Sequence, residues 1–448
     1  MSEFSSLISS DREHLLHPLH HPSAHESPLI MTSGQGIWLT TVDGRRYIDG
    51  LSGLWNVLIG PGRVELADSA RTQMADLAFF SNYVGAANVP AIELAERLAG
   101  FAYPGLNMTF FASGGAEANE TAFKTARYFW KRRDRPQKVK VIARQDAYHG
   151  VTLAAMSATG ITPYWPMFEP RIPEFVHTHA PYPYRFAGDV REGESIGQAA
   201  ARALEETILR EGPDTVAAFI AEPVQGAGGI IVPPDDYFPA VREICDRHEV
   251  LLIADEVITG FGRTGEWFAL SRWDVQPDIM SFAKGITSGY LPLGGIQISD
   301  EIRETIMTAP ANERWMHAFT YSGHATCCAV ALTNIEILEG EGLVRRAGEM
   351  GRRLRAGMEA LRDIACVGDI RGLGLMCAVE FVEDQESKAS AGIAEKIRLA
   401  CEERGLISRT KGESYLLAPP LVVSEEEVDQ IVAILRESIE EVWAAHKA

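Results

Sequence analysis

Val250-Leu251-Leu252-Ile253-Ala254-Asp255-Glu256-Val257 is an apolar run that ends in two adjacent acids. Ser281-Phe282-Ala283-Lys284-Gly285 is a second short run, and it ends in a lysine. Short runs rich in aliphatic and β-branched residues, bounded by Gly or Pro, read as buried parallel strands. Such strands release their active groups at their carboxyl ends. The reading therefore puts an ammonium and a carboxylate on one rim. A lysine in a dry pocket loses its proton readily and attacks aldehydes. A carboxylate at the same rim suits the task of holding a proton on a pyridine nitrogen. The pair points to pyridoxal phosphate (PLP) as cofactor.

Outward from these two runs, residues 107–112, 138–144, 216–222 and 293–298 read as further strands, and 116–133 and 235–248 as helices. The alternation predicts a mostly parallel sheet with both faces covered. Residues 1–30 read as loop, with Pro18, Pro22 and Pro28. Residues 42–49 read as a hairpin turning at Asp43-Gly44. Beyond about residue 340, two strand-like pieces at 366–371 and 375–381 lie between amphipathic helices. The last helix opens with Ser424-Glu425-Glu426-Glu427, a capping box with acids in its first turn. The expected division is an N-terminal segment, 1–65, packing with a small C-terminal domain, 336–448. Between them lies a large cofactor-binding domain, 66–335, whose end falls in or beside a long helix starting near His324.

The bulk numbers bound the function. The chain has 448 residues, of which 46% are hydrophobic, enough for a large core. Lys and Arg number 42 against 61 Asp and Glu, a formal charge of −19. So acidic a surface repels phosphate backbones and excludes nucleic acid as a partner. No apolar stretch approaches the ~18 residues that span a bilayer, so no membrane partner is expected. Met1-Ser2-Glu3-Phe4 shows no secretory leader. The cysteines, at 245, 327, 328, 366, 377 and 401, form no CxxC pair and have mostly apolar neighbours. They read as reduced core residues of a cytoplasmic protein.

Several motifs carry two readings each. Phe111-Ala112-Ser113-Gly114-Gly115-Ala116-Glu117 is strand, glycine turn and helix start, which suits a phosphate or an ordinary tight turn. Tyr148-His149-Gly150 follows a strand, where an aromatic stacks on a flat ring or joins the core. Arg409, in Leu406-Ile407-Ser408-Arg409-Thr410, is a natural clamp for a substrate carboxylate, yet one arginine among many. Gly260-Phe261-Gly262-Arg263-Thr264-Gly265 spells GxGxxG, but no run of helix formers follows it. Ser281–Lys284 spells SxxK without the partner motifs of penicillin-binding enzymes. His14, His17, His20, His21 and His25 match no standard metal spacing, and Pro18 and Pro22 break a helix that would align them.

Together these pieces resemble the class III aminotransferases among the fold-type I PLP enzymes. The likeness runs from about Trp38 to Leu421, with the motifs in the family's order. It implies an α/β fold: a large domain with a mostly parallel seven-stranded sheet between helices, plus a smaller α+β domain. It implies covalent attachment of PLP to Lys284, a pyridinium partner in Asp255, and ring contacts from Tyr148 on one face and Val257 on the other. Phosphate contacts would come from Gly114, Gly115, Ala116 and Thr320, with His149 and Glu222 also at the cofactor. In the family that threonine reaches across from a neighbouring subunit. A homodimer with shared sites is therefore implied, with a homotetramer as the alternative.

Details point to one branch. Ornithine, acetylornithine and 4-aminobutyrate enzymes usually place a glutamate after the Glu-Pro-x-Gln-Gly string. Here Glu222-Pro223-Val224-Gln225-Gly226 is followed by Ala227. They also place a glutamine where Ile258 stands. Gly53-Leu54-Trp55-Asn56-Val57 and Ala227-Gly228-Gly229 look like the ω-amino acid or amine:pyruvate branch. That likeness implies substrate contacts from Trp55, Tyr148 and Arg409, with Arg409 holding a carboxylate or swinging away. Ala116 departs from the family, which commonly has serine there. The implied activity moves an amino group from an ω-amino acid or amine to pyruvate, giving alanine. The alternatives are a 4-aminobutyrate or diamine transaminase using 2-oxoglutarate, an aminomutase or decarboxylase of the same fold, and a nicotinamide oxidoreductase built on the GxGxxG string. The donor depends on loops near Asn82-Tyr83-Val84 and Tyr164-Trp165.

Overall fold

The computed structural model describes residues 3–448 except Val84, so Met1, Ser2 and Val84 of the readings above lie outside the described residues. Three strands follow the N-terminal segment: β1 (Met31–Gln35), β2 (Trp38–Thr41) and β3 (Arg46–Asp49). They form an antiparallel meander. The β2–β3 turn falls at Asp43-Gly44, where Gly44 takes φ 83° and the Asp43 carboxylate accepts from the Thr41 hydroxyl.

The central sheet holds β4 (Leu106–Ala112), β5 (Lys140–Arg144), β6 (Phe175–Thr178), β7 (Val216–Ala221), β8 (Leu251–Asp255), β9 (Ile279–Phe282) and β10 (Gly294–Ser299). Their order is β4-β10-β9-β8-β7-β5-β6. β10 runs antiparallel to both neighbours, and the other pairs are parallel. Side chains alternate between two cores. Leu252, Ala254 and Phe219 join one core, while Leu251, Ile253, Ala218 and Ile220 join the other. The helix Gly115–Arg132 covers the second face with Ala118, Ala122, Phe123, Ala126 and Phe129.

A third sheet gathers the later strands: β11 (Val367–Leu373), β12 (Met376–Asp384) and β13 (Ala389–Ser390) precede β14 (Leu406–Ile407), β15 (Arg409–Lys411) and β16 (Ser414–Leu417). Its antiparallel order is β11-β12-β16-β15, with β13 beside β12. β14 instead pairs parallel with β3, Leu406 opposite Ile48. The chain therefore passes from one sheet to the other at Ser408, immediately before Arg409.

Two local readings need correction. Residues 1–30 are not all loop, because Glu3–His14 is helical. No Gly or Pro interrupts that stretch, and it stops short of Pro18. β6 was absent from the strands read off the pattern. It is a short, half-buried edge strand and lacks the dense apolar run of its neighbours. Elsewhere boundaries move by a residue or two. Strand β5 starts at Lys140, and buried Lys138 instead sends its ammonium to the carbonyls of Pro213 (3.0 Å), Val216 (3.0 Å) and Glu249 (2.7 Å).

Gly260–Gly265 is a run of turns with no helix directly behind it. His17 and His25 stack with ring centroids 3.9 Å apart, and no group of three possible metal ligands occurs among the described residues. All six cysteines are buried and free. No helix among the described residues is long and apolar enough to cross a membrane. The final helix, Glu425–Lys447, has both hydrogen bonds of its capping box, Ser424 with Glu427.

The loop after β5, which carries Tyr148 and His149, is pinned by close backbone packing. Gly160 donates to the Ala147 carbonyl at 2.8 Å, and a Cβ on Gly160 would sit 2.1 Å from the Arg144 carbonyl oxygen. Gly160→Ala should therefore lower the urea unfolding midpoint by the equivalent of about 2 kcal/mol or more. An unchanged midpoint would show that the loop has room to move.

Candidate active site

Asp255 closes β8 and stands in register with Ser281 of β9. Lys284 follows in the turn just beyond β9, so both groups leave the sheet at one rim. Strand alternation sorts the two adjacent acids. Asp255 continues the Leu251–Ile253 face, under the helix Gly115–Arg132. Glu256 points the opposite way, accepting from the Leu270 N–H at 3.0 Å and from the hydroxyls of Tyr103 and Thr259. Burial pushes the Glu256 carboxyl up and the Tyr103 hydroxyl well up. Glu256 is a buried anchor, separate from the site.

Asp255 is buried and held by three donors. Its Oδ2 accepts from His149 Nδ1 at 2.7 Å and from Asn119 Nδ2 at 2.8 Å. Its Oδ1 accepts from the Val257 N–H at 3.1 Å. Asn119 also donates to the His149 carbonyl at 2.8 Å. Helix, loop and strand thus converge on one carboxylate. Pattern reading missed Asn119. Its one signal is an amide on a helical stripe otherwise made of buried Ala, Thr and aromatic residues.

Lys284 is half-buried with φ 48°, a left-handed backbone rare outside glycine. That conformation costs about 1–2 kcal/mol and is tolerated where surrounding packing fixes it. Burial lowers its amine pKa to about 8, against the upward pull of Asp255 and Glu222 and with a further downward push from Arg409.

The helix Gly115–Arg132 begins after Gly114, which supplies no side-chain cap, so its first N–H groups lack a side-chain partner. A Cβ on Gly115 would meet Val257 Cγ1 at 2.8 Å, which brings the helix start against the residue after Glu256. Ala116 backs onto the Tyr148-His149 loop, since a Cβ on Gly150 would lie 2.7 Å from the Ala116 Cβ. Glu222, at the end of β7, accepts from the Tyr148 N–H and the Gly226 N–H, both at 2.9 Å. Burial pushes its carboxyl up.

The half-buried Tyr148 ring lies 5.8 Å from that of Tyr164. Burial raises both hydroxyls, and Arg409 offsets part of that rise. Arg409, paired with Leu416 through its backbone, is half-buried, and its guanidinium makes no hydrogen bond or ion pair among the described residues. Trp55 is buried, with its indole N–H unpartnered. Its loop abuts the turn after Lys284, where a Cβ on Gly285 would meet Leu58 at 2.6 Å. Thr320 is exposed on this chain. The structure therefore gathers Lys284, Asp255, Val257, Tyr148, His149, Gly114, Gly115, Ala116, Glu222 and Arg409 at one end of the sheet, while Thr320 stays at the surface.

This donor set fits PLP. A carboxylate held by three donors suits a pyridinium nitrogen, and a desolvated amine suits an aldehyde. An uncapped helix start suits a phosphate, and Tyr148 and Val257 suit the two ring faces. A seven-stranded, mostly parallel sheet with these groups on one rim defines a fold-type I PLP-dependent transferase. Comparison with known proteins then places the chain. The family pattern described as aminotransferase class-III matches residues 20–439. The chain belongs to the class III aminotransferases and is PLP-dependent. It is 40% identical over 420 residues to the putrescine–pyruvate aminotransferase of Pseudomonas aeruginosa, covering 93% of this chain and 91% of that one. It is also 40% identical to the diaminobutyrate–2-oxoglutarate transaminase of Halomonas elongata, covering 99% and 98%. An (S)-enantioselective ω-transaminase from Thermomicrobium roseum superposes with a TM-score of 0.93 at 47% identity, covering 98% of each chain.

The lowered lysine pKa has a direct consequence. Only the neutral amine attacks an aldehyde, so PLP capture by apoenzyme should speed up with pH and reach half its maximum near pH 8. Stopped-flow absorbance of the cofactor measures this. A rate still climbing at the ordinary lysine value of 10.5 would show a solvated amine.

Proposed function

We propose that this aminotransferase moves an amino group from an amine or ω-amino acid to pyruvate, releasing an aldehyde or ketone and then alanine in ping-pong order. The observation that carries this reading is Arg409. It is a half-buried guanidinium without an internal partner, close enough to Lys284, Tyr148 and Tyr164 to act on all three. A bound carboxylate satisfies it as a bidentate pair. Arg409 also pushes the Lys284 amine down, and a clamp of this kind suits a carboxylate-bearing acceptor such as pyruvate. The relative named for putrescine and pyruvate supports the same choice.

In this reading Lys284 Nζ would hold PLP, and the same Nζ, once free, would act as the base that takes the proton from the amine-bearing carbon and as the acid that returns it. PLP supplies the electron sink that makes the proton removable. Asp255 keeps the proton on the ring nitrogen, with Asn119 and His149 holding the carboxylate in place. Tyr148 and Val257 would hold the ring between them, with Glu222 fixing the Tyr148 backbone. The N–H groups of Gly115 and Ala116 would bind the phosphate, to which Ala116 brings no hydroxyl. Trp55 borders the donor. The exposure of Thr320 supports a homodimer in which the partner subunit's Thr320 completes the phosphate contacts. The same reading takes 66–335 as the cofactor-binding unit and the two end segments as a smaller one.

Lys284→Ala should abolish turnover in an alanine-forming assay, and retained transamination would remove Lys284 from the chemistry. Arg409→Ala should raise the KM for pyruvate roughly 10- to 100-fold and leave that for a carboxylate-free amine nearly unchanged. Equal changes for both substrates would sink the clamp, and with it the preference for pyruvate.

A further inference from the structure

The Gly260–Gly265 string has no part in the cofactor site, yet it contains one of the most deeply buried charges in the molecule. Arg263 has no exposure to water. Its Nη1 donates to the Pro419 carbonyl at 2.6 Å, and its Nη2 donates to Ser52 Oγ at 2.8 Å. The Ser52 hydroxyl in turn donates a hydrogen bond to the Ala418 carbonyl at 2.7 Å. Asp49 supplies the balancing charge from a distance. Its carboxylate is occupied by the N–H groups of Leu51 at 3.1 Å and Gly53 at 2.7 Å.

Both segments gripped by Arg263 lead to substrate groups. Ser52, Gly53 and Trp55 have φ of 51°, 63° and 65°, a left-handed turn that two non-glycine residues adopt only under external constraint. On the other side, Pro419 follows β16, and Leu416 of β16 is in register with Arg409. The two segments are also joined directly, since Ala418 donates to the Gly50 carbonyl at 2.7 Å. Arg263 itself belongs to the stretch that leaves β8 just after Asp255, and its carbonyl accepts from Leu375 N–H at 3.1 Å. One guanidinium therefore ties the turn of Trp55 and the strand beside Arg409 to the segment that begins at Asp255.

We propose that Arg263 is a positioning residue that sets both walls of the substrate pocket, Trp55 and Arg409, against the Lys284–Asp255 rim. This rests on the reading above in which those two residues border the substrate. A buried guanidinium is a poor choice for stability alone, because apolar packing of similar volume does as well or better. What it adds is a rigid fork that fixes two acceptors in one plane, which a lysine cannot do.

The test uses holoenzyme of Arg263→Lys and Ser52→Ala, with Arg409→Ala as control. For each, PLP occupancy is read from absorbance, and kcat and KM are measured for pyruvate and for a carboxylate-free arylalkylamine. Arg263→Lys should raise both KM values about tenfold, with kcat per bound PLP within about threefold of the parent. Ser52→Ala, which keeps the charge, should shift both in the same direction by less, and it decides the matter if Arg263→Lys fails to fold. Hydrogen exchange should quicken in residues 49–57 and 415–421 but not in 251–257. Lower PLP occupancy with both KM values unchanged would reduce Arg263 to a stability residue and overturn the proposal. If Arg409→Ala moves the pyruvate KM while the other two variants move neither, the proposal alone falls. If Arg409→Ala moves nothing, the pocket reading fails first and takes the proposal with it.

Discussion

A carboxylate taken out of water has to be surrounded by donors, and meeting that demand at Asp255 organises the whole site. The donors arrive from three parts of the chain: an amide on the helix Gly115–Arg132, an imidazole from the loop after β5, and a backbone N–H just past β8. None of these can move without unmaking a bond to a buried charge. The helix start, the Tyr148 loop and the Val257 backbone are therefore placed relative to one another before any cofactor enters. Preorganisation of this kind is what allows fixed groups to act on developing charge without first rearranging.

The same logic recurs away from the chemistry. Glu222, Glu256, Lys138 and Arg263 are buried ionisable groups; Glu222 and Lys138 are bonded to backbone, and Glu256 and Arg263 to backbone and hydroxyls together. Each joins segments distant in sequence. Glu222 ties β7 to the loop after β5. Glu256 ties β8 to the segment around Leu270, and Lys138 gathers the entry ends of β7 and β8. Apolar packing fills the volume between the elements, while these polar rivets specify their registration. The arrangement explains how long connections between parallel strands present side chains to one rim at fixed spacing.

Much of this was legible in the chain and some was not, for identifiable reasons. β7 and β8 are buried on both faces, so their apolar runs stand out from the surrounding helices. The carboxyl-end rule then places Asp255 and Lys284 together without further information. β6 escaped because an edge strand with partly exposed residues carries little pattern. The helix Glu3–His14 escaped because its composition, rich in Ser and charged residues, gives only a weak apolar stripe. Asn119 and Arg263 were invisible for a deeper reason. Their importance lies in partners that come from the far side of the fold, 136 residues away for Asn119 and 156 and 211 for Arg263. Local spelling records the residue type and is silent about what meets it.

The cysteines carry a practical corollary. All six are buried, and burial pushes the thiols of Cys245 and Cys377 up to about 12 and that of Cys328 higher still. Thiolates are therefore scarce in the folded chain, and alkylating reagents find little to attack. Modification must wait for the polypeptide to open. The rate of iodoacetamide labelling thus becomes a clock for conformational opening, readable by mass spectrometry with no engineered probe.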